Sequence, residues 1–241
     1  TEATGFGVIY TLREALKEMK LSIGTTTASI QGFGNVAQHA AKLYQQLGGK
    51  IIAISCWDNT DKKSYTFRKK DGLDYNVLVN ITDSFGCIDK EKASDFGYEI
   101  LPGDDWIEQD VDVIIPAALE NQISTANVGR VSKQVKIVAE GSNGPTSMDA
   151  DKILANRNIF VIPDFLANAG GVTCSYFEQV QSNTNHYWEK DEVIKKLDAK
   201  MTSSFKAVVD LAKSNKLHMR DAAYIIAINR VVRAVKSRGW V

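Results

Sequence analysis

Short apolar runs alternate with amphipathic helical segments along the first two thirds of this 241-residue chain. The runs are rich in valine and isoleucine and cover residues 27–31, 51–56, 111–115, 135–139 and 159–162. Continuous apolar strands of this kind are typical of a parallel sheet whose two faces are both covered by helices. The pattern therefore predicts an α/β fold built on a doubly wound, Rossmann-type sheet.

Helical periodicity fills most of the segments between these runs. The predicted helices cover residues 8–19, 35–47, 75–82, 90–96, 125–131 and 149–157. Residues 57–75 are predicted to be a polar excursion. From about residue 172 the chain is predicted to be helical, with helices at 189–213 and 220–236. Residues 1–241 are therefore predicted to form one domain, in which about 172–241 is a helical C-terminal extension packed on or beside the sheet.

The charge balance and the cysteine content exclude several classes of protein. Lysine plus arginine equals aspartate plus glutamate at 29 each, which predicts neither a nucleic-acid partner nor an anionic membrane surface. No apolar run approaches the ~18 residues of a membrane span, and no signal peptide opens the sequence. The 3 cysteines show no CxxC spacing, so no metal site or disulfide framework is predicted. A reducing cytoplasm is the expected location.

The segment Gly32-Phe33-Gly34-Asn35-Val36-Ala37 lies between the first predicted strand and the helix that follows. It fits the dinucleotide-binding pattern G-x-G-x-x-A, which is informative only in this strand-to-helix context. In that pattern Gly32 permits a tight turn, Gly34 lets a pyrophosphate approach the backbone, and Ala37 allows close helix packing. The motif predicts binding of NAD or NADP. The alternatives are a glycine-rich turn without a ligand and a nucleoside-binding methyltransferase of the same topology.

The end of the second strand is where an acid should accept a hydrogen bond from the ribose 2′-hydroxyl of NAD. Cys56 occupies the expected position, and Asp58 follows two residues later. Asp58 or Asp61 could reach the ribose. Equally, a nearby cation could meet the 2′-phosphate of NADP, the candidates being Lys62, Lys63 and Arg68. The sequence leaves the choice between NAD and NADP open.

Two loops follow later strands, at the edge where ligands bind in open α/β sheets. The segment Pro116-Ala117-Ala118 offers small side chains, beside which a flat ring or a ribose can lie closely. The segment 140–146 carries Asn143, whose amide can both donate and accept hydrogen bonds. Each loop is an ordinary connection on its own, but both follow predicted strands that end at this edge.

The segment 163–178 follows the last apolar run and turns into a helix at Gly170 and Gly171. Unpaired N–H groups at a helix start attract a carboxylate or an amide oxygen. Asn168 and Ser175 place polar side chains where packing alone would predict apolar ones. The segment therefore predicts a ligand contact, and a glycine-mediated strand-to-helix turn is the alternative.

Five blocks occur together and in one order along the chain. They are Ala3-Thr4-Gly5-Phe6-Gly7-Val8, Gly32-Phe33-Gly34-Asn35-Val36, Pro116-Ala117-Ala118, Glu140-Gly141-Ser142-Asn143-Gly144-Pro145-Thr146 and Asn168-Ala169-Gly170-Gly171-Val172. In these blocks the sequence resembles the coenzyme-binding domain of the glutamate dehydrogenases, in the Glu/Leu/Phe/Val dehydrogenase superfamily. The resemblance covers essentially the whole chain, and the closing residues 238–241 also resemble the C-terminus of that family.

The resemblance implies roles for individual residues in holding the cofactor. Thr4 matches a threonine that contacts the nicotinamide carboxamide, and Asn143 and Asn168 match asparagines near the nicotinamide and its ribose. The pyrophosphate loop is matched by Gly32, Phe33, Gly34, Asn35 and Val36. Ala117 and Ala118 belong to the third matching block, and their small side chains are expected to let the cofactor lie close.

The resemblance also implies a pocket for the amino-acid substrate. Val172 and Ser175 match positions lining that pocket, where the serine hydroxyl bonds the side-chain carboxylate of glutamate. A hydroxyl suits a carboxylate, whereas a pocket for leucine, valine or phenylalanine should be apolar at this position. Ser175 therefore favours L-glutamate as the substrate. A leucine, valine or phenylalanine dehydrogenase and a free-standing dinucleotide-binding regulatory module are the alternatives.

The activity that the resemblance implies is the reversible, NAD- or NADP-dependent oxidative deamination of L-glutamate to 2-oxoglutarate and ammonia. The family's catalytic lysine and aspartate belong to an N-terminal substrate domain, upstream of the first block. Because this chain starts at Thr1, we expect it to lack that domain and to be inactive alone. No residue is assigned a catalytic role, and this includes His39, His186 and His218. The full-length protein is expected to be a homo-oligomer, by family a hexamer.

Overall fold

Within residues 2–239, which the computed structural model describes, seven strands form a single sheet. They are β1 (Thr27–Gln31), β2 (Lys50–Asp58), β3 (Lys63–Arg68), β4 (Glu99–Pro102), β5 (Val113–Pro116), β6 (Ile137–Ala139) and β7 (Phe160–Ile162). Their order across the sheet is β4-β3-β2-β1-β5-β6-β7. The strands β2, β1, β5, β6 and β7 pair in parallel, whereas β3 and β4 pair antiparallel at one edge.

Helices surround this sheet. They are α1 (Ala3–Glu18), α2 (Asn35–Gln46), α3 (Tyr75–Asn80), α4 (Lys90–Asp95), α5 (Met148–Asn156), α6 (Asp164–Ala167), α7 (Gly170–Thr184), α8 (Lys190–Asn215) and α9 (Met219–Ser237). Of the C-terminal block 238–241, the residues Trp240 and Val241 lie outside the described residues.

The strand order confirms the predicted doubly wound α/β sheet. From β1 the chain passes to β2 on one side, and β5 pairs with β1 on the other side, so the order reverses between β1 and β5. In such sheets, ligands bind outside the carboxyl ends of the strands at the reversal. The topology therefore points to the loops after β1 and β5.

The core occupies both faces of the sheet, as the continuous apolar runs predict. Three consecutive buried residues of β5 show this: Val113 and Ile115 belong to one apolar cluster, and Ile114 belongs to the other. Successive side chains of a strand point to opposite faces, so a strand that is buried on both faces must be apolar throughout.

The C-terminal helices pack on the same core. Leu197, Met201 and Phe205 of α8 are buried in one cluster with Leu12 of α1. Phe205 also meets Phe160 of β7, with ring centroids 6.3 Å apart. A bidentate ion pair joins Arg13 of α1 to Asp198 of α8, at 2.9 and 2.6 Å. Helix α8 therefore contacts both the sheet and the first helix.

Two local predictions are wrong, and one strand was missed. Residues 57–75 are not simply a polar excursion, because they contain β3, and β4 was not predicted at all. The predicted helix 125–131 is only the short 3₁₀ turn Val128–Arg130. There the Asn127 side chain accepts a hydrogen bond from the N–H of Ser124 at 2.8 Å, which holds a turn instead of a helix.

Among the described residues, no helix is both long enough and apolar enough to cross a membrane.

Candidate functional site

The loop after β1 rests on the loop after β5 at the reversal of strand order. Gly32 has a positive φ of 88°, which a side chain would strain. A Cβ on Gly32 would also lie 3.1 Å from both the carbonyl oxygen of Ala117 and the Cβ of Ala118. The N–H of Ala117 donates to the Gln31 carbonyl at 3.0 Å. Gly32, Ala117 and Ala118 are thus brought together, as the motifs predict.

The next residues turn the chain into α2 and leave its start open. Phe33 is buried in the core, and its carbonyl oxygen accepts a hydrogen bond from the Gln38 side chain at 2.8 Å. The first helical bond runs from the N–H of Gln38 to the carbonyl of Gly34, at 2.9 Å. A Cβ placed on Gly34 would meet no atom within 4 Å. The backbone at Gly34, followed by Asn35 and Val36, therefore borders open space at the electropositive end of α2.

The turn 83–87 closes one side of this loop, although no sequence motif marks it. A Cβ on Gly86 would lie 2.8 Å from the Phe33 carbonyl oxygen and 3.3 Å from the Gly34 nitrogen. The Asp83 carboxylate accepts from the N–H groups of Phe85 and Cys87, at 2.8 and 2.9 Å, and holds the turn. The ring of Phe85 projects into solvent beside the loop, with an exposure of 81%.

Asn143 and Asn168 lie together, although 25 residues separate them in the sequence. The Asn168 amide donates to the Asn143 side-chain oxygen at 2.8 Å. The loop that carries Asn143 is held to β5, because the N–H groups of Gly141 and Ser142 both donate to the Pro116 carbonyl, at 2.9 and 3.1 Å. The two predicted asparagines therefore form one polar patch beside the loop after β5.

Thr4 belongs to the same region because α1 crosses the start of α7 closely. A Cβ on Gly171 would lie 2.5 Å from the Thr4 hydroxyl oxygen, so this side chain lies directly over the α7 backbone. Further along the crossing, a Cβ on Gly7 would be 2.9 Å from the Cα of Gly170. Small residues on both helices thus bring Thr4 against Gly171 of α7, three residues after Asn168 in the chain.

Val172 and Ser175 lie on one exposed side of α7. Val172 is 70% exposed, and Ser175 is also exposed. The Ser175 hydroxyl donates to the Gly171 carbonyl over a long 3.3 Å, so it can be redirected to a ligand. An apolar side chain beside a hydroxyl is a fitting surface for a small molecule that carries a carboxylate.

The end of β2 differs from the arrangement that the sequence suggests. Cys56 is buried, its sulfur accepts from the N–H of Ile88 at 3.4 Å, and burial raises its pKa to about 12. The Asp58 carboxylate lies 2.9 Å from the Lys90 ammonium and accepts from the N–H groups of Thr60 and Asp61, at 2.7 and 3.0 Å. The Lys90 contact lowers the pKa of Asp58 to about 2. Both side chains are thus engaged within the protein.

The three cations considered for a 2′-phosphate lie at two different positions along β3 and the turn before it. Lys63 pairs in register with Asp58, at the carboxyl end of β2, and Lys62 precedes it. Arg68 pairs in register with Ala53 instead, near the other end of β2, where its guanidinium contacts Glu99. Ligands of parallel sheets bind at the carboxyl ends of the strands. Arg68 therefore lies away from the end of β2 that a cofactor bound at Gly34 would contact.

Arg220 of α9 contacts three carboxylates near the segments that carry the asparagines, and no sequence motif marks it. Its guanidinium contacts both carboxylate oxygens of Glu140, at 2.8 and 2.9 Å. It also contacts Asp151 at 2.7 Å and Asp164 at 3.2 Å. The Glu140 side chain is 0% exposed; burial raises the pKa of its carboxyl, and the contact with Arg220 acts in the opposite direction. Within residues 2–239, no histidine, cysteine and carboxylate cluster is placed to hold a metal ion.

Comparisons with known proteins agree with this geometry. Residues 1–239 match the protein family described as Glutamate/Leucine/Phenylalanine/Valine dehydrogenase. The catabolic NAD-specific glutamate dehydrogenase of Bacillus subtilis is 39% identical over 239 residues, 99% of this chain and 53% of that protein. An NAD-specific glutamate dehydrogenase of Staphylococcus aureus is 38% identical over 99% of this chain and 54% of that protein.

Solved structures give the same result. The glutamate dehydrogenase of Peptoniphilus asaccharolyticus superposes with a TM-score of 0.82 at 34% identity, covering 100% of this chain and 54% of that one. The chain spans about half the length of the curated relatives it matches. With this match over nearly its whole length, the chain belongs to the Glutamate/Leucine/Phenylalanine/Valine dehydrogenase family.

Proposed function

We propose that this chain is the coenzyme-binding part of an NAD-dependent glutamate dehydrogenase. The observation that carries the proposal is the open backbone at Gly34, at the reversal of strand order, in a chain of this family. Residues 1–241 are then one dinucleotide-binding domain with a helical extension from about residue 172 onward, whose described helices pack on the same core.

The residues present fit a dinucleotide along the carboxyl edge of the sheet. The pyrophosphate would lie over Gly34, where the space is open and the N–H groups of a helix start favour an anion. Ala117 and Ala118 would allow the cofactor to lie close to the sheet. The nicotinamide end would extend toward Asn143, Asn168 and Thr4, whose amide and hydroxyl groups can hydrogen bond its carboxamide.

We propose NAD in preference to NADP. The matched Bacillus and Staphylococcus enzymes are NAD-specific. The charge near the end of β2 supports the same choice, because the cleft there is lined by five carboxylates and only two ammonium groups. These groups are Asp58, Asp61, Asp83, Asp89 and Glu91, with Lys90 and Lys92. Such a cleft repels the extra charge of a 2′-phosphate.

The proposed reaction is the reversible deamination of L-glutamate to 2-oxoglutarate and ammonia. When bound, the nicotinamide supplies the acceptor for the hydride from the α-carbon of glutamate. This chain's own residues orient the ring and form one wall of the substrate pocket, with Ser175 directed to the side-chain carboxylate. In this proposal the lysine and aspartate that move protons come from the half of the relatives that this chain does not match.

The first test uses the purified 241-residue chain. We expect NADH to bind saturably, with a fluorescence change that ADP reverses by competition, and NADPH to bind at least about tenfold more weakly because of the acidic cleft. We expect no measurable reduction of NAD with L-glutamate, because the proton-moving groups are supplied by another part of the protein.

Two outcomes of that test count against the proposal. Absence of saturable NADH binding would remove the coenzyme-binding role altogether. Glutamate turnover by the chain alone would show that its own residues supply the acid and base. Binding of NADH in a protein whose gene encodes no adjoining substrate domain would instead favour the free-standing regulatory module.

A second test concerns the substrate and uses the protein with both halves. Replacing Ser175 by alanine should lower kcat/KM for L-glutamate by about 10- to 100-fold, because a hydrogen bond to a charged group contributes roughly 1.5–3 kcal/mol. Activity with L-leucine should not fall in parallel. Equal losses for both amino acids would contradict a role in carboxylate recognition, and a wild type that prefers leucine, valine or phenylalanine would reassign the substrate.

Assembly and location follow from the same proposal. We expect the full-length protein to be a homo-oligomer in the cytoplasm, with a small-molecule substrate and no nucleic-acid or membrane partner. The thiols of Cys56, Cys87 and Cys174 are unpaired, which suits a reducing compartment.

A further inference from the structure

The carboxylates around Arg220 connect α9 to both loops that carry the asparagine patch. Arg220 bridges Glu140, at the end of β6, and Asp164, at the start of α6. These two acids are also joined directly, since the N–H of Asp164 donates to a Glu140 carboxylate oxygen at 2.8 Å. Arg220 therefore lies at a junction of three segments that are distant in sequence.

Asp164 makes a hydrogen bond to each of the two segments that carry the asparagines. The second oxygen of Asp164 accepts from the N–H of Gly144 at 2.8 Å, which fixes the residue after Asn143. The carbonyl of Asp164 accepts from the N–H of Asn168 at 2.8 Å, which fixes the end of α6. Asp164, which Arg220 contacts, thus hydrogen bonds to the backbone of both asparagine segments, and the two asparagine side chains meet at 2.8 Å.

A role in stability alone does not account for this arrangement. Burying an ion pair costs desolvation free energy that its attraction often does no more than offset, and well-packed apolar residues frequently replace such a pair without loss. What an apolar replacement cannot do is fix the direction of two backbone N–H groups at once. The carboxylates of Glu140 and Asp164 accept from those N–H groups, and a planar guanidinium with several donors can hold both carboxylates in place, whereas an ammonium lacks this fork geometry.

We propose that Arg220 is a positioning residue, which holds Asn143 and Asn168 in the arrangement that receives the nicotinamide end of the cofactor. This inference rests on the proposed coenzyme-binding function. The adenosine and pyrophosphate end of the cofactor would contact Gly34 and the end of β2, which the Arg220 contacts do not include. A loss of positioning should therefore weaken binding of the nicotinamide end only, whereas a general loss of stability should weaken binding of both ends of the cofactor.

The experiment compares the affinities for NADH and ADP in the purified 241-residue chain. In R220K we expect NADH binding to weaken roughly tenfold, the scale of coupling through a packed network, and ADP binding to change less than about twofold. In E140Q, which keeps the size of the side chain but removes its charge, we expect the same selective loss. Either variant alone tests the proposal if the other fails to fold.

The matched control is R13K, because Arg13 also makes a bidentate carboxylate pair, with Asp198, between two helices. R13K should lower the thermal midpoint but leave both affinities unchanged. Unchanged NADH binding in R220K and E140Q, or equal losses for NADH and ADP, would overturn the positioning role. A wild-type chain that binds neither ligand would instead remove the proposed function, and the positioning role with it.

Discussion

Replacing Gly34 by alanine is expected to weaken NADH binding by about 10- to 100-fold, since a clash of one methyl group costs roughly 1–3 kcal/mol. The added Cβ would meet no protein atom within 4 Å, so it would extend only into the space that we propose for the pyrophosphate. Gly34 has φ −77°, which alanine adopts easily. The thermal midpoint should therefore fall by no more than about 4 °C, the cost of alanine at a helix N-cap. Fluorescence titration and a thermal melt measure the two effects.

The control for this variant is Gly129→Ala, at a second position where a Cβ would meet nothing within 4 Å. Gly129 lies in the turn Val128–Arg130, outside the loops of the candidate site, and its replacement should leave the affinity for NADH unchanged. Gly34→Ala should also weaken ADP, because ADP retains the pyrophosphate, whereas R220K should not. An unchanged NADH affinity in Gly34→Ala would show that the pyrophosphate does not lie over this residue.

The parallel core of the sheet was predictable because burial on both faces leaves continuous apolar runs. Strands β3 and β4 were not, because they pair antiparallel at the edge and keep exposed polar residues. In β3 burial does not alternate from Lys63 to Arg68, since only the adjacent residues Thr66 and Phe67 are buried. Such a strand is fixed by its neighbours, here by the register of Tyr65 with Cys56 and Pro102, which no local pattern reveals.

The candidate site divides in the same way. Gly32, Gly34 and Ala117 could be predicted because local backbone geometry demands small residues in short motifs. The Arg220 junction could not, because its partners Glu140, Asp151 and Asp164 are 80, 69 and 56 residues away. One signal was present: an acid directly after the apolar run 135–139 must find a cation if it is buried. Which cation is a property of the tertiary structure.

Glycines occur in this chain for two different structural reasons, and alanine substitutions at Gly34 and Gly170 should have correspondingly different effects. At Gly34 the missing side chain borders open space, in which we propose that the cofactor binds, whereas at Gly170 it leaves space for another helix. A Cβ on Gly170 would fall far inside contact distance of the Ala3 carbonyl oxygen and 3.1 Å from the Cα of Gly7. Those neighbours are backbone atoms, so rotation of a side chain cannot relieve the clash, and α1 and α7 must move apart.

Gly170→Ala is therefore expected to destabilise the chain by about 3 kcal/mol, the upper range for overpacking. For a chain of this size that corresponds to a fall in the thermal midpoint of roughly 6–12 °C. The displacement should also carry Thr4 away from Gly171, where its hydroxyl oxygen lies 2.5 Å from the position of a Cβ. NADH affinity should then fall as well, measured by titration at a temperature where the variant is folded.

The matched substitution is Gly24→Ala, where a Cβ would make ordinary contact with the Leu47 carbonyl oxygen at 3.6 Å. It should shift the thermal midpoint by no more than about 2 °C, as for most surface changes. If Gly170→Ala melted within that same margin of the wild type, α1 and α7 would not cross as closely as described. The Thr4 contact would then lose its support, since both glycine contacts depend on one crossing. A large loss of stability with unchanged NADH affinity would show that the close crossing of α1 and α7 does not contribute to cofactor binding. Thr4 would then lie outside the cofactor site.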